Sequence, residues 1–242
     1  MFLYDTHVHS SEVSLCGKLP ARELVRLYKE AGYAGFILTD HFYRDYFDSL
    51  PSGNWESRAD AFLQGYRLAK TASLEYDIDV LLGLELRFDE RPDDYVVFGI
   101  SEAFVKDIPE PYAMPVREYA KLLHAAGGMM FLAHPYRWYG PPPERFYDGI
   151  EVYNGSRDHD SNNHLALAMA RETDSLMSAG SDCHDAHFIG RTGILLRERA
   201  RTGQDLVKLY RADDVGVAIG RAFGNRAATA ALQSEREGAA MS

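Results

Sequence analysis

The sequence predicts an α/β protein in which a parallel sheet closes into a barrel, and three observations carry that prediction. Short apolar runs alternate with helical segments along the chain, the βαβα rhythm of a parallel sheet. Histidines and carboxylates stand at the ends of successive runs, in Asp5-Thr6-His7-Val8-His9, Thr39-Asp40-His41, Gly83-Leu84-Glu85, Ala133-His134-Pro135 and Ser181-Asp182-Cys183-His184. A barrel gathers such strand ends on one face, which favours it over an open sheet. Finally, 242 residues with 46% hydrophobic content can bury a substantial core and match the size of one barrel.

The elements follow in order. Phe2-Leu3-Tyr4 reads as the first strand, and Pro20 to Ala31 carries Leu24, Leu27 and Tyr28 at helical spacing before stopping at Gly32. Phe36-Ile37-Leu38 is the second strand, followed by a long aromatic loop from Phe42 to Trp55. Arg58 to Glu75 is helical, and Asp79 to Leu86 is a strand that delivers Glu85. Tyr95 to Ile100 is a buried strand, Val116 to Ala126 a helix closed by Gly127-Gly128, and Met129 to Ala133 a strand leading to His134. Pro141-Pro142-Pro143 stiffens the loop after it. Gly149 to Tyr153 and Ser175 to Ala179 are later strands around a helix from Asn162 to Glu172. Ile194-Leu195-Leu196 is the last strand, and Thr202-Gly203-Gln204-Asp205 has the form of a capping box for the helix after it. These elements make one domain over residues 1–222. Residues 223–242, rich in Ala, Ser, Glu and Arg, form a frayed or disordered tail.

Composition narrows the setting. The formal net charge of −10 argues against an extended nucleic-acid surface. Small anionic substrates remain open, because bound divalent cations reverse the local field. Cys16 and Cys183 are too few for a disulfide framework, no apolar run spans a membrane, and the first strand begins too early for a signal peptide. A soluble, cytoplasmic protein is expected; its oligomeric state is not written in the chain.

In an H-x-H pair on a strand the two imidazoles share a face, because side chains alternate with period two, so both can grip one metal. The Asp182/His184 pair repeats that spacing. Asp5 and Asp40 either accept the second ring N–H of a ligand histidine or serve as turn and cap residues.

The ordered set DTHVHS, LTDH, GLE, AHP and GSDCH, from Phe2 to Leu196, resembles the PHP (polymerase and histidinol phosphatase) superfamily. The resemblance implies a distorted (β/α)7 barrel with the metal site at the C-terminal ends of the strands, two or three divalent metal ions (Mn, Fe or Zn) and hydrolysis of phosphate esters. It places His7, His9, Glu85 and Asp182 around a first metal, with Glu85 bridging to a second that also takes His134. His41 and His184 would hold a third. The chain departs from the family where many members add a ligand after H-x-H; Glu12 is the expected substitute there, with Cys16 behind it. It departs again near Tyr95, where Asp94 is either an oxygen ligand or part of a solvated acidic turn.

The expected chemistry is hydrolysis of a small phosphorylated metabolite or nucleotide by metal-activated water. No nucleophile elbow and no phosphate-binding glycine loop is present. Asp182 or His184 is expected to protonate the leaving oxygen in addition to a ligand role. Arg137 either binds a substrate phosphate or lies on the loop surface, and His187 faces substrate. Asn154, Asn162 and Asn163 are assigned to shaping the barrel mouth, and His124, His159 and His164 to the surface. Tyr43, Tyr46, Phe47 and Trp55 either form a lid or pack the loop. Two other classes stay open: an amidohydrolase-type metal hydrolase, for which a bridging lysine is missing, and a non-catalytic metal-binding domain.

Overall fold

The computed structural model describes residues 1–138 and 140–219, so the expected tail over 223–242 lies outside the described residues. The chain runs β1 (Phe2–Val8), α1 (Ala21–Glu30), β2 (Gly35–Leu38), β3 (His41–Phe42), α2 (Arg44–Ser49), α3 (Trp55–Phe62), α4 (Gln64–Tyr76), β4 (Asp79–Leu82), β5 (Leu84–Arg87) and β6 (Asp94–Phe98). It continues through α5 (Glu102–Asp107), α6 (Val116–Ala125), β7 (Met129–Leu132), β8 (Gly149–Asn154), α7 (Asn163–Glu172), β9 (Leu176–Gly180), β10 (Thr192–Leu196), α8 (Gly203–Arg211) and β11 (Val215–Ile219). The expected helices at Pro20, Val116 and Asn162 are present, and Thr202 and Asp205 do form a capping box at the start of α8.

The strands form two sheets, β11-β10-β1-β2-β4 and β3-β5-β6-β7-β8-β9, and no sheet closes on itself among the described residues. Pairing is parallel at β1/β2, β2/β4, β3/β5, β7/β8 and β8/β9 but antiparallel at β1/β10, β10/β11, β5/β6 and β6/β7. The fold is therefore mixed α/β rather than the all-parallel arrangement expected. The short link between β5 and β6 explains part of this, since a parallel crossover needs a dozen or more residues. The single predicted strand from Asp79 to Leu86 is broken at Gly83, whose neighbours belong to different sheets. The aromatic loop contains the short helix α2, and the Arg58–Glu75 region is two helices that meet at Leu63.

Both sheets contribute to one core. Tyr4, Ile37, Leu81 and Ile194 from the first sheet are clustered with Val96, Phe98 and Phe131 from the second. The sheets also touch at a seam, where Cys183 N donates to His7 O and His9 N to Cys183 O, both at 3.1 Å. Gly180 is required there, because a Cβ on it would collide with His7. Among the described residues no helix is long and apolar enough to cross a membrane.

Candidate metal centre

The end of β1 begins the site. His7 and His9 lie on the last turn of alternation of that strand and beyond it, both fully buried, and Glu85 enters from β5. Asp182 stands just after β9 in the left-handed region at φ 53°, and His134 follows β7 at φ 28°. Non-glycine residues held at positive φ are uncommon and concentrate at functional sites.

These residues converge. Asp182 Oδ1 lies 3.2 Å from His9 Nε2 and 3.6 Å from His7 Nε2, and Glu85 Oε2 lies 3.4 Å from His7 Nε2 and 3.6 Å from His9 Nε2. Glu85 also spans outward, with Oε1 at 3.0 Å from His134 Nε2 and Oε2 at 3.1 Å from His41 Nε2. His7 Nε2, His9 Nε2 and Glu85 Oε2 are buried and have no hydrogen-bond partner. Orphaned buried donors and acceptors are costly, and three aimed at one spot fit a cation that would satisfy them together. Four sets of three donors can each come within 4.8 Å: His7/His9/Glu85, His9/His41/His184, Glu85/Asp94/His134 and His7/His134/Glu151.

The charges are ordered by what surrounds each group. Burial opposes a proton on His7, but Glu151, Asp182 and Glu85 outweigh it and lift its pKa well above the usual histidine value. Burial together with His184 and His41 drives His9 well below that value. Burial works against ionising Glu85 and Asp182, yet His7 above all keeps both well below the ordinary carboxylate range.

A supporting layer sits behind the cluster, and its central member escaped the sequence reading. Glu151, fully buried on β8, places Oε1 2.9 Å from His7 Nδ1 and accepts His134 N through Oε2 at 2.9 Å. Asn154 Nδ2 donates to Glu151 Oε2 and to Asp182 Oδ2. Arg137 Nη2 donates to Asp182 Oδ2 at 2.7 Å, to Asn154 Oδ1 at 2.8 Å and to Ser161 Oγ at 3.1 Å. Asp182 thus turns one oxygen to the cluster and the other to this layer. A charged residue inside the apolar run Gly149–Asn154 was the available signal.

Of the two roles open to Asp5 and Asp40, the contacts fit that of turn and cap residues rather than that of partners to a ligand ring. Asp5 accepts from His7 N, Ser181 N and Tyr28 Oη, and Asp40 from Ser10 N, Ser10 Oγ and Ser14 Oγ. They shape the backbone under the ligands, while Glu151 and Ser14 face the rings of His7 and His9.

Other expected residues divide. Glu12 does not reach the cluster: its carboxylate accepts Ala21 N at 2.9 and 3.0 Å, capping α1, whose preceding Pro20 has no capping side chain. Cys16 is the member of that loop that comes to the rim, with Sγ 3.6 Å from His41 Nδ1. Burial resists its ionisation, but His184 and His41 bring its pKa down to about 6. Asp94 is buried at the start of β6, not in a solvated turn; it is held by Arg87 at 2.7 and 2.8 Å and lies 3.9 Å from His134 Nε2. His184 directs Nδ1 at the Asp182 carbonyl, 3.0 Å away. His187 is turned to solvent beside Asp185 and joins none of the four donor sets. Tyr46, Phe47 and Trp55 pack with Phe42 and Phe62 as loop core, whereas Tyr43 stacks on His41 at 4.5 Å between ring centroids.

Fold and cluster define an α/β protein organised around a multidentate metal-type centre. The chain belongs to the PHP domain family, whose model matches residues 5–221. No curated protein matches it in sequence. Among solved structures it is similar to a two-domain protein from Bacteroides vulgatus containing a predicted PHP-like metal-dependent phosphoesterase, with TM-score 0.62 and 20% identity over 90% of this chain and 65% of that one. It is equally similar to PsfC from Pseudomonas syringae, with TM-score 0.62 and 16% identity over 100% of this chain and 99% of the other. Endonuclease Q in complex with a 27-mer duplex carrying an abasic lesion at the active site gives TM-score 0.56 and 14% identity over 90% of this chain and 58% of that one. The chain therefore spans less than two thirds of the Bacteroides protein and of the endonuclease.

The endonuclease corrects one expectation. The acidic composition predicts no extended nucleic-acid surface, yet a protein similar to this one in fold holds duplex DNA at its active site. Net charge sums the whole surface, whereas the field at a site is set by its own residues and by cations held there.

Proposed function

We propose that the protein is a metal-dependent phosphoesterase that hydrolyses a small phosphorylated metabolite or nucleotide. The observation that carries this reading is the trio of buried, unpartnered atoms His7 Nε2, His9 Nε2 and Glu85 Oε2 facing Asp182 Oδ1. His7, His9, Glu85 and Asp182 would hold a first divalent ion, Glu85, His134 and Asp94 a second, and His41, His184 and Cys16 a third. Mn, Fe and Zn all suit this mixture of imidazole and carboxylate; the thiolate favours Zn at the third position. Such ions would supply a water ionised near neutral pH and positive charge against the phosphoryl oxygens.

The chain's own groups do the rest. Glu151 orients His7, and Arg137 and Asn154 fix Asp182 so that Oδ1 faces the reacting centre. His184, with Nδ1 committed to the Asp182 carbonyl, keeps Nε2 for the leaving oxygen when the third position is empty and for the ion when it is filled.

The test is metal analysis of protein purified without chelator, combined with hydrolysis of an aryl phosphate, an aryl phosphodiester and an abasic duplex, with and without Mn and chelator. Bound metal with chelator-sensitive turnover of the monoester is the expected result. Turnover of the duplex alone would replace the small substrate by nucleic acid, and metal-replete protein holding no ion would remove the reading.

A further inference from the structure

The centre has two arginines, and they are placed for different work. Arg137 is buried, its side chain 8% exposed, and Nη2 is shared among Asp182, Asn154 and Ser161. Arg87 ends β5, two residues beyond Glu85, so strand alternation turns it to the same face as that candidate ligand and one step nearer the mouth. Its side chain is 41% exposed. Nε and Nη2 are given to the two oxygens of Asp94, and among the described residues Nη1 has no hydrogen-bond partner. The guanidinium lies 4.4 Å from the centroid of the Tyr43 ring, which in turn stacks on His41 with 16° between the planes.

We propose that Arg87, not Arg137, recognises the phosphoryl group of the substrate. A guanidinium already clamped on one edge by a buried carboxylate and on one face by an aromatic ring has little freedom left to lose on binding, while its outward edge keeps the donors that match a phosphate. It is anchored through Asp94 and Tyr43 to the same His134, Glu85 and His41 that make up the cluster, so a phosphate held by Nη1 stays beside the reacting centre. The rival cation at the rim, Lys18, gives its ammonium to Asp185 at 2.9 Å. Arg137 becomes a positioning residue for Asp182.

The inference rests on the phosphoesterase reading, and the experiment separates the two. The Mn-loaded 242-residue chain is compared with Arg87→Gln, Arg87→Lys and Arg137→Gln by bound metal per chain, affinity for inorganic phosphate by calorimetry, and KM and kcat on an aryl phosphate. Arg87→Gln is expected to keep the inner ion of His7, His9, Glu85 and Asp182, which it does not touch, to weaken phosphate binding and raise KM by about ten- to a hundredfold, the range for a lost hydrogen bond between charged groups, and to change kcat less than KM. Arg87→Lys, which keeps the charge without the fork, should fall between and serves if the glutamine variant does not fold. Arg137→Gln should lose metal affinity instead. Unchanged phosphate affinity in both Arg87 variants, or loss of the inner ion on replacing Arg87, overturns the proposal while leaving the phosphoesterase reading in place. Wild-type protein that holds metal but neither binds phosphate nor turns over the ester overturns both.

Discussion

The inner and outer parts of the centre are built differently. The inner group, His7, His9, Glu85 and Asp182, is at most 3% exposed in its side chains, and each member rises from a strand or its immediate end. The rim group, Cys16, His41 and His184, includes two imidazoles 20% exposed and an exposed thiol on a loop. Behind the inner group stands a buried carboxylate of its own, Glu151, whereas the rim imidazoles meet a backbone carbonyl, a sulfur at 3.6 Å and carboxylates that belong to the inner group, Glu85 at 3.1 Å from His41 and Asp182 at 3.3 Å from His184. Packing and charged hydrogen bonds make one half a rigid receptor; the other half can adjust. Inner ions should therefore exchange slowly and rim ions readily.

The most severe break in that contrast is to remove the inner group. Replacing His7 and His9 together by alanine is expected to abolish hydrolysis and inner metal binding while circular dichroism stays that of the folded protein. Retained turnover would refute the centre. Next comes Glu151→Gln, which keeps the shape but not the charge behind His7. Loss of such an outer partner typically costs about ten- to a hundredfold in metal affinity or activity, and titration of chelated protein with Mn measures it. No change would mean that the inner group does not depend on its backing.

Those two experiments also mark where the chain could be read directly. His7, His9, His41, Glu85, His134, Asp182 and His184 were legible because each stands at the end of an apolar run, and alternation along β1 and β5 carries the side chains inward. Glu151 was hidden because it lies inside a run, between Ile150 and Val152, where it looks like one more strand residue. Arg87 was hidden by its place at the end of a strand whose notable residue was Glu85. Strand direction was not legible either. Apolar periodicity reports burial, not polarity of pairing, so the antiparallel β6 and β10 needed the connection lengths and the register to be recognised.

At the rim, Cys16→Ser should lower zinc affinity of the outer position by about tenfold, since a soft thiolate ligand is exchanged for a hydroxyl, and leave the inner ions in place. Competition with a zinc indicator checks this; equal loss from both groups would erase the distinction drawn above. Acidity sharpens it further. In metal-free protein burial opposes the charge on His41 and His184, but the hydrogen bonds that protonated His41 donates to Cys16 and protonated His184 donates to Asp182 raise their pKa values to about 9 and about 10. Stability from these raised groups is present in full below the unfolded histidine value of about 6.5 and is lost as pH climbs through 9 and 10. Cys16, lowered to about 6, acts in the opposite sense, its contribution growing with pH across the same range, so one of the two histidine contributions is offset and the other remains. Chelated protein should thus show a falling Tm from pH 6.5 upward, while metal-loaded protein, whose ligands are already deprotonated, should fall less. Parallel curves would mean that the rim does not ligate metal.

The smallest expected effect concerns the loop that carries two donors in opposite directions. Glu12 and Cys16 are four residues apart, yet Glu12 turns back to the first amide of α1 and Cys16 turns to the rim. Pro20 cannot supply a capping side chain, so Glu12 meets both the free N–H and the positive end of the helix. Glu12→Ala should therefore cost about 1 kcal/mol of stability, the typical loss of an N-terminal cap, with metal content unchanged. Denaturant unfolding read beside metal analysis separates the two roles, because a ligand would lose metal first and a cap loses only stability. Metal loss in Glu12→Ala would put the carboxylate back at the rim and make the loop, rather than Cys16 alone, the outer part of the centre.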